Sequence, residues 1–102
     1  MEYPRMFRLK QHFDAPTLDD VYGSVRAEIQ KLNPADKIKP EQSVAVAAGS
    51  RGIANIDTIV KATVDEMKEI GAEPFIVPAM GSHGGGTAEG QAGGLKGYGI
   101  DE

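Results

Sequence analysis

Residues 43–56, Ser-Val-Ala-Val-Ala-Ala-Gly-Ser-Arg-Gly-Ile-Ala-Asn-Ile, pass from a small-residue apolar stretch, through a glycine-bounded turn, into a helical pattern. Ser43–Ala48 reads as a short central strand covered on both faces. With Asn55 as N-cap, Ile56, Ile59, Val60, Thr63, Val64, Met67 and Ile70 share one helix face, and Gly71 supplies the residue just past the helix end. Phe75-Ile76-Val77-Pro78-Ala79 is a second apolar run and reads as a buried strand. Strand, turn, helix and strand within ~35 residues make a βαβ unit, which requires parallel strands. The glycine turns that follow the two strands then lie at one sheet edge, beyond the carboxyl ends, where α/β proteins place ligands. The predicted class is α/β: a three-layer, Rossmann-like domain with a mostly parallel sheet.

Ahead of this unit, Arg5–Phe13 alternates apolar and polar residues after Met6, with Phe7 and Leu9 on one side before Gln11 breaks the pattern ahead of Phe13, and predicts a half-buried strand. His12 falls on its polar side and reads as a solvated strand residue. Asp14-Ala15-Pro16 is a turn, and Thr17 is read as the N-cap of a helix with Asp19 and Asp20 near its start. Leu18, Val21, Tyr22, Val25, Ile29 and Leu32 form the apolar stripe of that helix, which Asn33-Pro34 ends. Residues 33–42 are a polar loop.

A length of 102 residues supports one compact domain. The net charge of −4 argues against nucleic acid or an anionic membrane as partner, though not against a small anion held by a local cation and a few N–H groups. The chain has no cysteine, so it forms no disulfide and no thiolate metal site. The charged N-terminal residues lack the apolar core of a signal peptide, and no run is long enough to span a membrane, which makes the cytoplasm the expected location.

The second turn, Met80-Gly81-Ser82-His83-Gly84-Gly85-Gly86-Thr87, holds one of the two histidines. Thr87 caps the next helix and Glu89 lies in its first turn, but Gly90, Gly93 and Gly94 each cost up to ~1 kcal/mol against alanine, so a short or frayed helix is expected. Gly97-Tyr98-Gly99-Ile100 reads as a turn. Arg51 in the first turn and His83 in the second face a common edge in this arrangement. Arginine clamps a carboxylate with two parallel hydrogen bonds, helix-start N–H groups near Asn55 and Thr87 add anion affinity, and an imidazole moves a proton near neutral pH. The pairing points to proton transfer on a small carboxylate or phosphate compound. Gly49-x-x-Gly52 is not a dinucleotide fingerprint, and neither turn has a phosphate-loop lysine. Ser50 and Ser82 lack a nucleophile-elbow setting, and two separate histidines give no metal-ligand spacing.

Ala48–Ile56 (Ala-Gly-Ser-Arg-Gly-Ile-Ala-Asn-Ile) and Pro78–Gly85 (Pro-Ala-Met-Gly-Ser-His-Gly-Gly), with Gly-Ala-Glu-Pro-Phe between them, closely resemble the N-terminal domain of the nickel-pincer lactate racemase family. The resemblance is most specific over residues 43–91. It implies a two-domain α/β enzyme that racemises or epimerises 2-hydroxy acids with a nickel pincer nucleotide in the interdomain cleft. By that likeness His83 is the acid/base on the substrate hydroxyl. Arg51, with Ser50 and Ser82, holds substrate, and Gly81, Gly84 and Gly85 face the cofactor. Ala48 departs from the family, which often has aspartate there. The family's second catalytic histidine, cofactor-bearing lysine and nickel-binding histidine have no counterparts in these residues. The likeness therefore implies that residues 1–102 are one N-terminal domain of a longer enzyme, missing its C-terminal domain and inactive alone. Two other readings fit the residues: a non-catalytic module for a small anion or nucleotide, and an interaction protein whose exposed strand edges make a homo-oligomer.

Overall fold

The computed structural model describes residues 1–49 and 52–101; Ser50, Arg51 and Glu102 lie outside the described residues. The architecture is mixed α/β, with helices α1 (Val21–Lys31), α2 (Ile56–Glu69) and α3 (Ala88–Gly97) and strands β1 (Ser43–Ala48) and β2 (Glu73–Pro78). The strands pair in parallel, in register from Ser43 opposite Glu73 to Ala48 opposite Pro78. Hydrogen bonds from Glu73 N–H to Gln42 O (2.9 Å) and from Ala79 N–H to Ala48 O (2.8 Å) extend the ladder past both ends. The predicted unit of strand, helix and parallel strand is present as β1–α2–β2.

The helix α2 follows its sequence pattern closely. Ile56, Val60 and Met67 are buried on one face. At its end Gly71 takes φ +88°, its N–H bonds to Lys68 O, and Ala72 N–H reaches back to Met67 O. These are the two bonds of a Schellman ending, which needs a left-handed residue at Gly71. Asn55 stands at the N-cap position, as predicted, but in a left-handed conformation (φ 56°) and with no capping bond from its side chain.

The sheet is covered on one face only, against expectation. Val44 and Val46 are half-buried and Ala48 is buried, whereas Ser43, Ala45 and Ala47 are exposed, as is Phe75 beside Ala45. Alanine is small enough to sit on either side of a sheet, so an alanine-rich run does not report which faces are covered. The core gathers between β1, α2 and α3: Ala48, Ile56, Val60, Met80, Leu95 and Ile100, with Val64, Ile76 and Tyr98 packed around it.

The first twenty residues are corrected most. Residues 1–20 form no strand or helix and are exposed. Alternation makes 5–13 competent to be a strand, but a strand exists only when its N–H and C=O groups meet a second one. The helix α1 starts at Val21 rather than after Thr17, because the Asp20 carboxylate accepts the Gly23 N–H at 2.8 Å and takes the cap position.

The helix α1 packs against α2 through polar contacts. Tyr22 Oη donates to Asp65 Oδ2 (2.8 Å), Arg26 Nε to Glu66 Oε2 (2.7 Å) and Gln30 Nε2 to the same oxygen (3.2 Å), while Arg26 also pairs with Glu69. Glu66 is only 4% exposed, and the Arg26 guanidinium holds its carboxyl below the usual carboxylate range. Lys61, with Tyr22, does the same for Asp65. Unfolded glutamate takes its proton near pH 4. In the native state protonation of Glu66 waits until lower pH, so the native state binds fewer protons across that window. The pair's stabilisation is complete above the ordinary glutamate value and is lost as pH falls through the folded one. Thermal melts are expected to show Tm dropping below about pH 4, less steeply in Glu66→Gln. Equal slopes for the two proteins would exclude Glu66 as a source of the acid sensitivity.

Candidate functional site

The parallel register brings the ends of β1 and β2 side by side, and the Ala79–Ala48 hydrogen bond holds the two following loops together at their roots. The first loop runs from Gly49 to Asn55. Ser50 and Arg51, the predicted substrate-binding residues of this loop, lie outside the described residues. Of the remainder, Gly52 takes φ +88° and Ile53 is exposed.

The second loop is built around Met80, Gly84 and Gln91. Met80 is buried and packs beside Gly94 of α3; a Cβ on Gly94 would stand 3.7 Å from Met80 Cε. Gln91 Nε2 donates to Gly81 O at 2.7 Å, and His83 N–H to Met80 O at 3.3 Å. From Gly84 to Gly86 the backbone is left-handed, with φ of 61°, 69° and 69°. That turn folds the loop onto the first turn of α3, where Thr87 caps the helix by accepting Gly90 N–H (3.1 Å) and donates its hydroxyl to Gly84 O (3.2 Å). The contact is backbone on backbone. A Cβ on Gly84 would lie 2.4 Å from Gly90 C, and one on Gly90 would lie 1.9 Å from Gly84 O. Gly90 therefore costs helix propensity and permits this docking. The expected short or frayed helix is instead a ten-residue one, closed by Gly99 at φ 83° with bonds from Gly99 N–H to Lys96 O and Ile100 N–H to Leu95 O.

This geometry sorts the predicted second-loop residues. His83 is half-buried and lines a hollow of about 240 Å³ with Met80, Gly84, Gly90, Gly94 and Tyr98. Ser82 is exposed beside it and its side chain caps nothing. Gly84 has a packing reason to be glycine, through Gly90. Around Gly81 and Gly85 a Cβ would meet no atom within 4 Å, so both face open space. Tyr98 escaped the sequence reading: it lies in a segment read as a turn, yet α3 carries it back to the histidine. Gln91 escaped it too, since nothing in the local sequence marks a side chain that reaches ten residues back. The hollow is smaller than the several hundred Å³ of sites for drug-sized ligands, and so suits a small molecule. An imidazole and a phenol lining one such space bring a ring nitrogen and a hydroxyl, both able to hydrogen-bond a small polar molecule, to the same hollow.

Among the described residues no three His, Asp or Glu side chains gather so as to hold a metal ion. No helix among them is long and apolar enough to cross a membrane. A larger apolar groove of about 650 Å³ runs beside β2, lined by Val64, Phe75, Ile76, Leu95 and Ile100, and shares no lining residue with the histidine hollow.

No family model, curated protein or solved structure matches the chain.

Proposed function

We propose that this chain is the N-terminal, substrate-side part of a racemase or epimerase of small 2-hydroxy acids. The observation that carries the reading is the half-buried His83 lining a small hollow, in the loop whose root is hydrogen-bonded, Ala79 N–H to Ala48 O, to the root of the loop that bears Arg51. In this reading β1–α2–β2 belongs to a Rossmann-like, three-layer domain with a mostly parallel sheet, which a C-terminal domain completes. Arg51 clamps the carboxylate through two parallel hydrogen bonds, with the Ser50 and Ser82 hydroxyls beside it. The His83 imidazole takes the hydroxyl proton and returns it. The resemblance also implies a nickel pincer nucleotide, whose chemistry is hydride transfer at the substrate carbon. The described residues do not fit its metal centre, since they gather no ligand set.

The test has two parts. In NMR titrations of the full chain, lactate is expected to shift the His83 ring resonances, and Arg51→Ala to weaken binding about tenfold or more. Silence of His83 at saturating lactate would end the proposal. In protein that carries the complementary half, His83→Gln is expected to slow racemisation by about 10²–10⁴-fold; an unchanged rate removes His83 from the chemistry. Binding of lactate and inorganic phosphate alike, with racemisation indifferent to His83, supports the anion-binding module instead. The first turn of α2, which receives no side-chain cap from Asn55, is the feature that favours that second reading.

A further inference from the structure

The two outer edges of the sheet differ in their hydrogen-bonding capacity. In a parallel ladder a residue aims its N–H and C=O to the same side, and successive residues alternate sides. Glu73 and Ala79 donate to β1, so the odd-numbered residues of β2 face β1 and its outward positions are Pro74, Ile76 and Pro78. Two of those three have no N–H, which blunts that edge against a further strand. On β1 the carbonyls of Gln42 and Ala48 accept from β2, so Ser43, Ala45 and Ala47 turn outward. Each of them has both an N–H and a C=O. Among the described residues no strand pairs with this edge of β1, and it carries a donor and an acceptor at each outward position, whereas the prolines blunt the edge of β2.

The region beneath that open edge is also unfinished. Val64 and Lys68 of α2 turn toward the groove beside β2, while Asp65, Glu66 and Glu69 turn toward α1. The helix α1 thus stands on the β1 side of α2. It packs on α2 rather than on the strands, and its stripe of Val21, Val25 and Ile29 is only half-buried. A strand added to β1 would lie under this stripe.

The chain itself carries a segment with the matching pattern. Residues 5–13 contain no proline, are bracketed by Pro4 and Pro16, and alternate, yet Phe7, Leu9 and Phe13 are 84%, 72% and 77% exposed. The segment stands away from its own body. The radius of gyration is 18.7 Å and the longest extent 66 Å, whereas a compact chain of this length has a radius near 13 Å. It is also opposite in charge. Residues 1–13 hold three cations and one acid, net +2, within a chain of net −4, so the remainder carries −6.

We infer that the open edge of β1 is a strand-docking surface and that its occupant is residues 5–13 of a second copy of this chain. Reciprocal exchange about a two-fold axis gives each body the other's arm as a third strand, with Phe7, Leu9 and Phe13 covering α1. The basic arm meets an acidic body, and each N–H and C=O of the β1 edge finds a partner.

The test is the mass of the full chain in solution, with two substitutions. Wild type is expected as a dimer, with the amides of residues 7–12 protected from hydrogen exchange. Leu9→Pro breaks the arm's ladder, and Ala45→Pro removes an outward donor of β1 without touching its bonds to β2. Each is expected to be monomeric, with the wild-type far-UV circular dichroism of the body. An equimolar mixture of the two is expected to regain a dimer, since one supplies an intact edge and the other an intact arm. A monomeric wild type would overturn the proposal, whether its arm is unprotected or is protected by folding onto its own body. So would a dimer that survives Leu9→Pro, a substitution in an exposed segment that leaves the body's fold alone.

Discussion

Gly90→Ala is expected to destabilise the protein by about 1–3 kcal/mol, although alanine is the better helix former by up to ~1 kcal/mol. Two effects of opposite sign meet at this residue. Propensity favours the added methyl group, and packing forbids it: the new carbon would stand 1.9 Å from Gly84 O, 2.8 Å from Gly84 C and 2.9 Å from Thr87 Oγ1. A backbone carbonyl has no rotamer to retreat into, and Gly84 is itself held at φ 61°. The loop must lift off α3, and His83 moves with it. Gly93→Ala is the matched control. It lies in the same helix, nothing stands within 4 Å of its added carbon, and it is expected to gain up to ~1 kcal/mol. Urea denaturation of the two variants checks both signs. Equal shifts in the same direction would mean that the loop does not rest on Gly90.

Leu95→Ala is expected to cost about 2–5 kcal/mol, a large share of what a domain of this size has in reserve. Leu95 is 5% exposed and belongs to the cluster it forms with Ala48, Ile56, Val60, Met80 and Ile100. Its carbonyl accepts the Ile100 N–H in the bond that closes α3, and its side chain belongs to the same cluster as that of Ile100. This apolar contact across a Schellman ending fixes how the chain leaves the helix. Thermal unfolding by circular dichroism is the measurement. A loss below about 1 kcal/mol would show that the core collapses around the gap.

The patterns that survived folding are those whose physical cause is local. The 3.6-residue stripe of α2 and the left-handed Gly71 are settled within one or two turns of chain, and both stand where the sequence places them. So does the parallel pairing of β1 and β2, because a helical connection between adjacent strands leaves little choice of direction. With it came the adjacency of the two glycine turns at the carboxyl edge, the part of the candidate site that the sequence shows. Asp20 displaced Thr17 as a cap because two good capping residues stood within one turn, and sequence alone did not rank them.

What only the tertiary structure decided is where non-local surfaces meet. The alternation in residues 5–13 is a property of the segment, but a strand is a property of a pair, and among the described residues no strand pairs with the segment. The glycines of α3 read as a weakness of the helix until Gly84 is seen lying against Gly90. Tyr98 reaches the His83 hollow only because α3 turns back along the loop. Sequence sets local propensity through backbone sterics and side-chain periodicity. Burial, close approach and the walls of a cavity are set by residues distant in the chain, and only folding brings those together.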